Sequence, residues 1–239
     1  MRILTHNVYW FQGAPSRWGS ERVAVFQEVF DALCELYESA DVDVLCLQEV
    51  HDSTLVNLLA QELDMSSHFH AAGGLRHDYG GAILCRGKAA FKDCTRAQSG
   101  HLHERIHLRA SLAEFELATV HLPSNRFADS IEEGNNARVG ELTQVLAHSP
   151  KPNVLVGDMN CTSESSPYTF MVNAGYSDSA VVAKSDTLLK RRLDYIWLDA
   201  ECSARLVRFE ALDEGVFRRE SQGEPWKLSD HPPLLVELQ

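Results

Sequence analysis

Apolar residues recur along the chain with two spacings, and each change of spacing marks an element. In "RILTHNVY" (2–9) they fall close to every second position, which predicts a strand. In "SERVAVFQEVFDALCELYESA" (20–40), Val25, Val29, Ala32, Leu33 and Leu36 stand three and four apart. That spacing predicts an amphipathic helix, with Ser20 as its cap and a turn before it over 17–20. "VDVLCLQEV" (42–50) is a short apolar run and predicts a buried strand; "DSTLVNLLAQEL" (52–63) predicts a second helix. Short strands follow in "GGAILCR" (80–86), "IHLRASLAEF" (106–115) and "ELATVHL" (116–122), with Glu114 and Glu116 flanking a hairpin turn. A helix is expected over 132–148 once past its glycine, then a strand in "PNVLVGD" and a short helix in "SSPYTFMVNAG" ended by Gly175. "RLDYIWLD" (192–199) and "PPLLVELQ" (232–239) complete the strands. No repeat, linker or low-complexity segment breaks this order, so sheets covered by helices in one domain over 1–239 are expected.

Bulk properties narrow the classes. The chain has 239 residues, 44% of them hydrophobic, enough for one α/β or all-β core. No run of 18 apolar residues is present, so no stable membrane insertion is expected. "MRILTHNVYW" lacks the basic start and long apolar middle of a secretory signal, which favours a cytoplasmic setting. The net charge of −12 disfavours sequence-independent wrapping of a duplex, although a local patch could still take phosphate. Part of that charge reads as metal ligand. Six cysteines are scattered without CxxC spacing; those in "VLCLQEV" and "AILCRG" read as small buried hydrophobes.

Polar residues at strand ends carry the chemistry. Asn7 and His6 close the first strand, and Gln48 and Glu49 the second; His121 ends the hairpin. Asp158 and Asn160 follow "VLVG", Asp194 lies in "RRLDYIW", and Asp230 and His231 precede the last strand. Each has a plain alternative as a turn or cap residue. As a set they repeat a cost, because a buried carboxylate needs a partner or a metal. Convergence on one divalent cation would meet it, and oxygen donors suit Mg²⁺ or Mn²⁺. The histidines of "HLHERIHL" (101–108) allow a separate metal site, but the favoured reading is polar side chains on a β edge. Trp10 and Phe11 read as core residues in preference to base-stacking ones.

"THNVYW", "LCLQEV", "ATVHLPSN", "VLVGDMNC", "RRLDYIW" and "SDHPPLL" occur in an order that resembles the endonuclease/exonuclease/phosphatase superfamily, from Asn7 to His231. The resemblance implies a four-layered α/β sandwich: two packed, mostly antiparallel β-sheets flanked by helices, DNase I-like. It also implies Mg²⁺- or Mn²⁺-dependent phosphoester hydrolysis. By analogy Glu49 is the main metal ligand, with Asn7 and Asp230 assisting. Asp158 activates water, Asn160 holds that region and contacts phosphate, and Asp194 orients His231. His231 contacts the phosphoryl oxygens, and His121 faces the phosphate from the other side.

Arg191 and Arg192 are candidate substrate contacts, since guanidinium binds phosphate with paired donors; Asn125 is another, with a turn as its alternative. The substrate is a phosphate ester, either a small molecule or nucleic acid. The segment from "TVHLPSN" onward faintly resembles the tyrosyl-DNA phosphodiesterase branch, so DNA end processing or abasic-site cleavage is the alternative activity. A catalytically inactive scaffold on the same fold is the alternative class. No protein partner is indicated, and a monomer is expected.

Overall fold

A computed structural model describes residues 1–14, 25–97, 99–185, 192–213, 215–221 and 224–239. Its elements, in chain order, are β1 (Arg2–Asn7), α1 (Gln27–Ser39), β2 (Val44–Gln48), α2 (Ser53–Glu62), β3 (Ser67–Ala71), β4 (Gly81–Cys85) and β5 (Ala90–Asp93). Then come β6 (Ile106–Ser111), β7 (Glu116–His121), α3 (Ile131–Leu146), β8 (Val154–Asp158), α4 (Ser166–Asn173), β9 (Ser177–Asp178), α5 (Ser179–Val182) and β10 (Asp194–Leu198). The last are α6 (Ala200–Ala204), β11 (Leu206–Ala211), β12 (Arg218–Ser221), β13 (Glu224–Lys227) and β14 (Leu234–Leu238). Ser20, the expected turn over 17–20 and Arg191 lie outside the described residues.

Two six-stranded sheets form, in the orders β11-β14-β1-β2-β4-β3 and β5-β6-β7-β8-β10-β9, and β12 pairs with β13 alone. Within each large sheet one central pair is parallel, β1 with β2 and β7 with β8, and the other pairs are antiparallel.

Strand alternation builds the layers. Ile3, Val44, Cys46 and Ile83 of the first sheet meet Ile106, Leu108, Val154, Val156 and Ile196 of the second. Their neighbours Leu4, Leu45, Leu47 and Leu84 face outward and pack on α1 and α2. On the second sheet Ala118, Val120, Leu155, Tyr195 and Trp197 face outward and pack with residues of α3 and α4. The result is helix, sheet, sheet, helix: a four-layered α/β sandwich. Each fully buried Leu or Val here contributes roughly 1.5–3 kcal/mol. A buried polar link crosses between the sheets where Gln48 Nε2 donates to Thr119 Oγ1 (3.0 Å), as well as to Thr5 Oγ1 in its own sheet (3.1 Å).

Two helix starts differ from expectation. Val25 and Phe26 are not helical, because Phe26 is extended and its N–H goes to Phe11 O (2.9 Å). Helix α3 begins before its glycine, at Ile131, since Ser130 Oγ accepts from Glu133 N (3.1 Å) and Glu133 Oε2 accepts from Asp129 N (2.7 Å), a reciprocal cap. Gly134 is a packing position: a Cβ there would fall 2.2 Å from Asn125 Oδ1. Phe11 is buried as expected, but Trp10 is only half-buried and donates its indole N–H to Asp78 O (2.7 Å).

Candidate active site

The sheet register brings the polar strand ends to one edge. Asn7 lies opposite Gln48 across the parallel β1–β2 pair, so Glu49 follows directly beside it. Asp158 lies opposite His121 on one side and Asp194 on the other. Because β10 runs antiparallel to β8, its first residue reaches the edge where β8 ends; β14, antiparallel to β1, brings the preceding Asp230 and His231 there too.

The backbone at this edge is unusual. Gly157 has φ +130°, and a Cβ on it would fall 2.0 Å from Val120 O. Only glycine lets β8 lie this close to β7 just before Asp158. Glu49 (φ +59°) and Asn160 (φ +48°) are left-handed, a conformation that costs of order 1–3 kcal/mol and is held by its surroundings. Asn160 is fixed by its own N–H to Asp158 Oδ1 (2.8 Å) and its Nδ2 to Leu122 O (2.9 Å). Trp10 N–H to Glu49 O (3.1 Å) holds Glu49.

Six segments meet in one set of hydrogen bonds and ion pairs. Asn7 Nδ2 donates to Glu49 Oε1 and to Asp158 Oδ2, both at 3.1 Å. His121 Nε2 is 3.2 Å from Asp158 Oδ2 and 3.9 Å from Glu49 Oε1. His231 Nε2 is 3.9 Å from Asp158 Oδ2, and its Nδ1 is 2.6 Å from Asp194 Oδ2. Ser229 Oγ donates to Asn7 O (2.6 Å), tying the His231 segment to β1. Asp230 is exposed and close enough to act on Glu49 electrostatically.

The two histidines are tuned in opposite directions. Burial pushes His121 well below the usual imidazole value, and the Arg105 guanidinium and His231 add to this. His121 is therefore neutral. For His231 burial opposes the charge, but Asp194, Asp158 and Asp230 outweigh it and raise the group well above its ordinary value. Burial lifts Glu49 to about 7, against the Asn7 hydrogen bond and Arg105. Burial lifts Asp194 to about 6, opposed by His231, so the Asp194–His231 pair is ionic at neutral pH.

A cation would fit this set at Glu49. Its Oε2 is buried without a hydrogen-bond partner among the described residues, and burial pushes its carboxylate toward protonation. Asp158, Asp194 and His231 also bring three donor atoms within 4.8 Å of one another. There, however, the His231–Asp194 bond already occupies His231 Nδ1 and Asp194 Oδ2.

Of the remaining expected residues, Arg192 is buried and committed elsewhere: its guanidinium makes a paired contact with Asp178 and lies 4.3 Å over the Tyr195 ring. It nevertheless lines, with Asp194, Asp230 and His231, a cavity of about 340 Å³. The Asn125 side chain is directed to α3, its Oδ1 accepting from Arg138 Nη2 (2.7 Å). Arg105 was not foreseen. It bonds His121 Nε2, lies 4.3 Å from the Tyr79 ring centroid and is buried. The available signal was its place just before Ile106, which pairs with His121.

The Endonuclease/Exonuclease/phosphatase family pattern matches residues 4–231, and the chain belongs to that family. The fold is shared with an AP endonuclease from Archaeoglobus fulgidus (TM-score 0.70, 16% identity, covering 100% of this chain and 99% of that one). It is shared also with the Neisseria 3′ phosphatase NExo bound to a product DNA hairpin (0.71, 17%, 100% and 99%) and with a Bacteroides thetaiotaomicron mannosyl-6-phosphatase (0.69, 15%, 100% and 99%). No curated protein matches the chain by sequence.

Proposed function

We propose that this protein is a Mg²⁺- or Mn²⁺-dependent phosphoester hydrolase in which water attacks phosphorus. The observation that carries the reading is the single amide of Asn7 bridging Glu49 and Asp158 at 3.1 Å each, with His231 3.9 Å from the same Asp158. Residues 42 and 151 positions from Asn7 are held together at the cost of burying two carboxylates, a cost that hydrogen bonds and a bound cation would offset.

Glu49 would be the principal cation ligand, with Asn7 and Asp230 assisting. A bound Mg²⁺ or Mn²⁺ offsets phosphate charge and orients the ester. Asp158 accepts the proton of the attacking water; Asn160, bonded to its Oδ1, fixes the carboxylate's direction and reaches toward phosphate. His231, held as imidazolium by Asp194, donates from Nε2 to the phosphoryl oxygen as charge grows there. His121 stays neutral and donates or accepts without adding charge.

The substrate is a phosphate ester. A groove of about 850 Å³ lined by Arg218, Arg219, Lys227 and Asp230 adjoins the site; its cations are paired with Asp213 and Glu35, so the groove carries no surplus of positive charge. The structural relatives name both sugar phosphates and DNA ends as occupants of this fold, and one panel separates them. Bis-p-nitrophenyl phosphate, hexose 6-phosphates, 3′-phosphorylated DNA, abasic DNA and 5′-tyrosyl DNA are each assayed with Mg²⁺, Mn²⁺ or EDTA. Turnover of one class with metal, and none with EDTA, is expected. No turnover of any, with the fold intact, would favour an inactive scaffold.

A further inference from the structure

The histidines of "HLHERIHL" are not edge residues. His103 and His107 are fully buried. With His101 and His148 they form a line of rings whose successive centroids are 5.3, 5.1 and 5.2 Å apart. On β6, Ile106 and Leu108 point between the sheets, so His107 points the other way, to the side that the α3 layer covers. The β5–β6 register pairs Asp93 with Leu108, so Cys94 comes next to His107, and its N–H donates to His107 O (2.8 Å). Paired neighbours project to the same side. The third member, His148, stands two residues past the end of α3 and is half-buried.

Two donor groups can be drawn in this line, and the hydrogen bonds distinguish them. In His101–His103–Glu141, the Glu141 carboxylate is already in use: Oε2 is 3.1 Å from His103 Nδ1 and Oε1 accepts Glu104 N (2.7 Å). In Cys94–His107–His148 the central histidine has neither ring nitrogen partnered among the described residues, although it is wholly buried. Leaving such a group bare costs about 1–3 kcal/mol. Burial also keeps His107 neutral, which is the form that ligates.

We propose that Cys94, His107 and His148 form a binding site for a thiophilic divalent cation of the zinc class, with solvent as fourth ligand. One donor atom from each lies within 4.8 Å of the other two. Ligand spacings in a tetrahedral zinc site are roughly 3.3–3.6 Å, so closing the site needs side-chain movements of at most about 1 Å. A thiolate with two imidazoles selects Zn²⁺ over the hard ions suited to the Glu49 site. A surface cleft of about 320 Å³, lined by Ala97, Ser99, Gln144, Ala147 and His148, gives access. The bound ion ties the end of α3 to the β5–β6 pair. On binding, Cys94 gives up its thiol proton to solvent, and the thiolate charge offsets the nearby Arg109 and Lys92.

Co²⁺ titration of the chelator-treated full chain tests this. One equivalent is expected to give a near-ultraviolet thiolate-to-cobalt charge-transfer band with tetrahedral visible absorption, displaced by Zn²⁺. Cys94→Ser should abolish the band, and His148→Ala, at a half-buried position that does not threaten folding, should weaken binding at least tenfold. Glu49→Gln and His101→Ala should leave it unchanged. Absence of a thiolate band at one equivalent overturns the proposal. So does a band that survives both Cys94→Ser and His148→Ala, or a site lost in His101→Ala. The Glu49 control separates this result from any failure of the hydrolase reading.

Discussion

The edge around Glu49 and Asp158 and the line around His107 are both buried clusters of titratable groups on one fold, yet their polar atoms are satisfied very differently. At the edge nearly every group is already bonded: Asn7 to two carboxylates, Asp158 to Asn160, Asp194 to His231. The few bare atoms there include Glu49 Oε2. In the histidine line, His107 has no hydrogen-bond partner on either ring nitrogen among the described residues. A dense web fixes geometry for chemistry on a passing molecule, whereas a bare donor set in the interior waits for something to fill it. Donor type divides them the same way, with oxygen at the edge and sulfur with nitrogen in the line.

Four changes would break or sharpen this contrast. Asp158→Asn should lower kcat/KM on the preferred phosphate ester by about 10²–10⁴-fold, the usual span for a proton acceptor. Circular dichroism should be unchanged, and so should the cobalt band at Cys94. If hydrolysis persisted, the edge would be no more catalytic than the line. His231→Gln should lower kcat by about 10²-fold with little change in KM, since its donor acts on charge that develops during reaction; steady-state kinetics reads the split. Glu49, lifted to about 7 by burial, takes up a proton as pH falls through that value and loses the charge that attracts a cation. Mn²⁺ affinity at the edge should therefore fall by up to about tenfold per unit below pH 7, by isothermal titration. Smallest is Gln48→Ala, which unpairs Thr5 and Thr119 and should cost about 1–3 kcal/mol in urea denaturation.

The edge was legible in the sequence because each of its residues terminates or begins an apolar run. The run gives the strand, and the strand gives the position of its end. What a side chain does once placed was less legible. Arg192 reads as a free cation beside Asp194, but its partner Asp178 comes from another strand and no spacing announces it. His103 and His107 read as solvent-facing since they alternate with apolar neighbours; alternation cannot tell water from a helix laid over the sheet. Strands β3 and β5 went unseen for the opposite reason. "SHFHA" and "AFKD" are edge strands with polar or exposed residues, and their pairing is supplied by the neighbours.

Strand β14 is inserted between β11 and β1, and the segment leading into it carries Asp230 and His231. His6, beside Asn7 on β1, has its Nε2 2.9 Å from the backbone oxygen of His231, 225 positions further along the chain. His231 therefore faces Asp158 only where β14 is paired with β1. Opening of that one strand pair would carry Asp230 and His231 away together and leave the Asn7 amide still bridging Glu49 and Asp158.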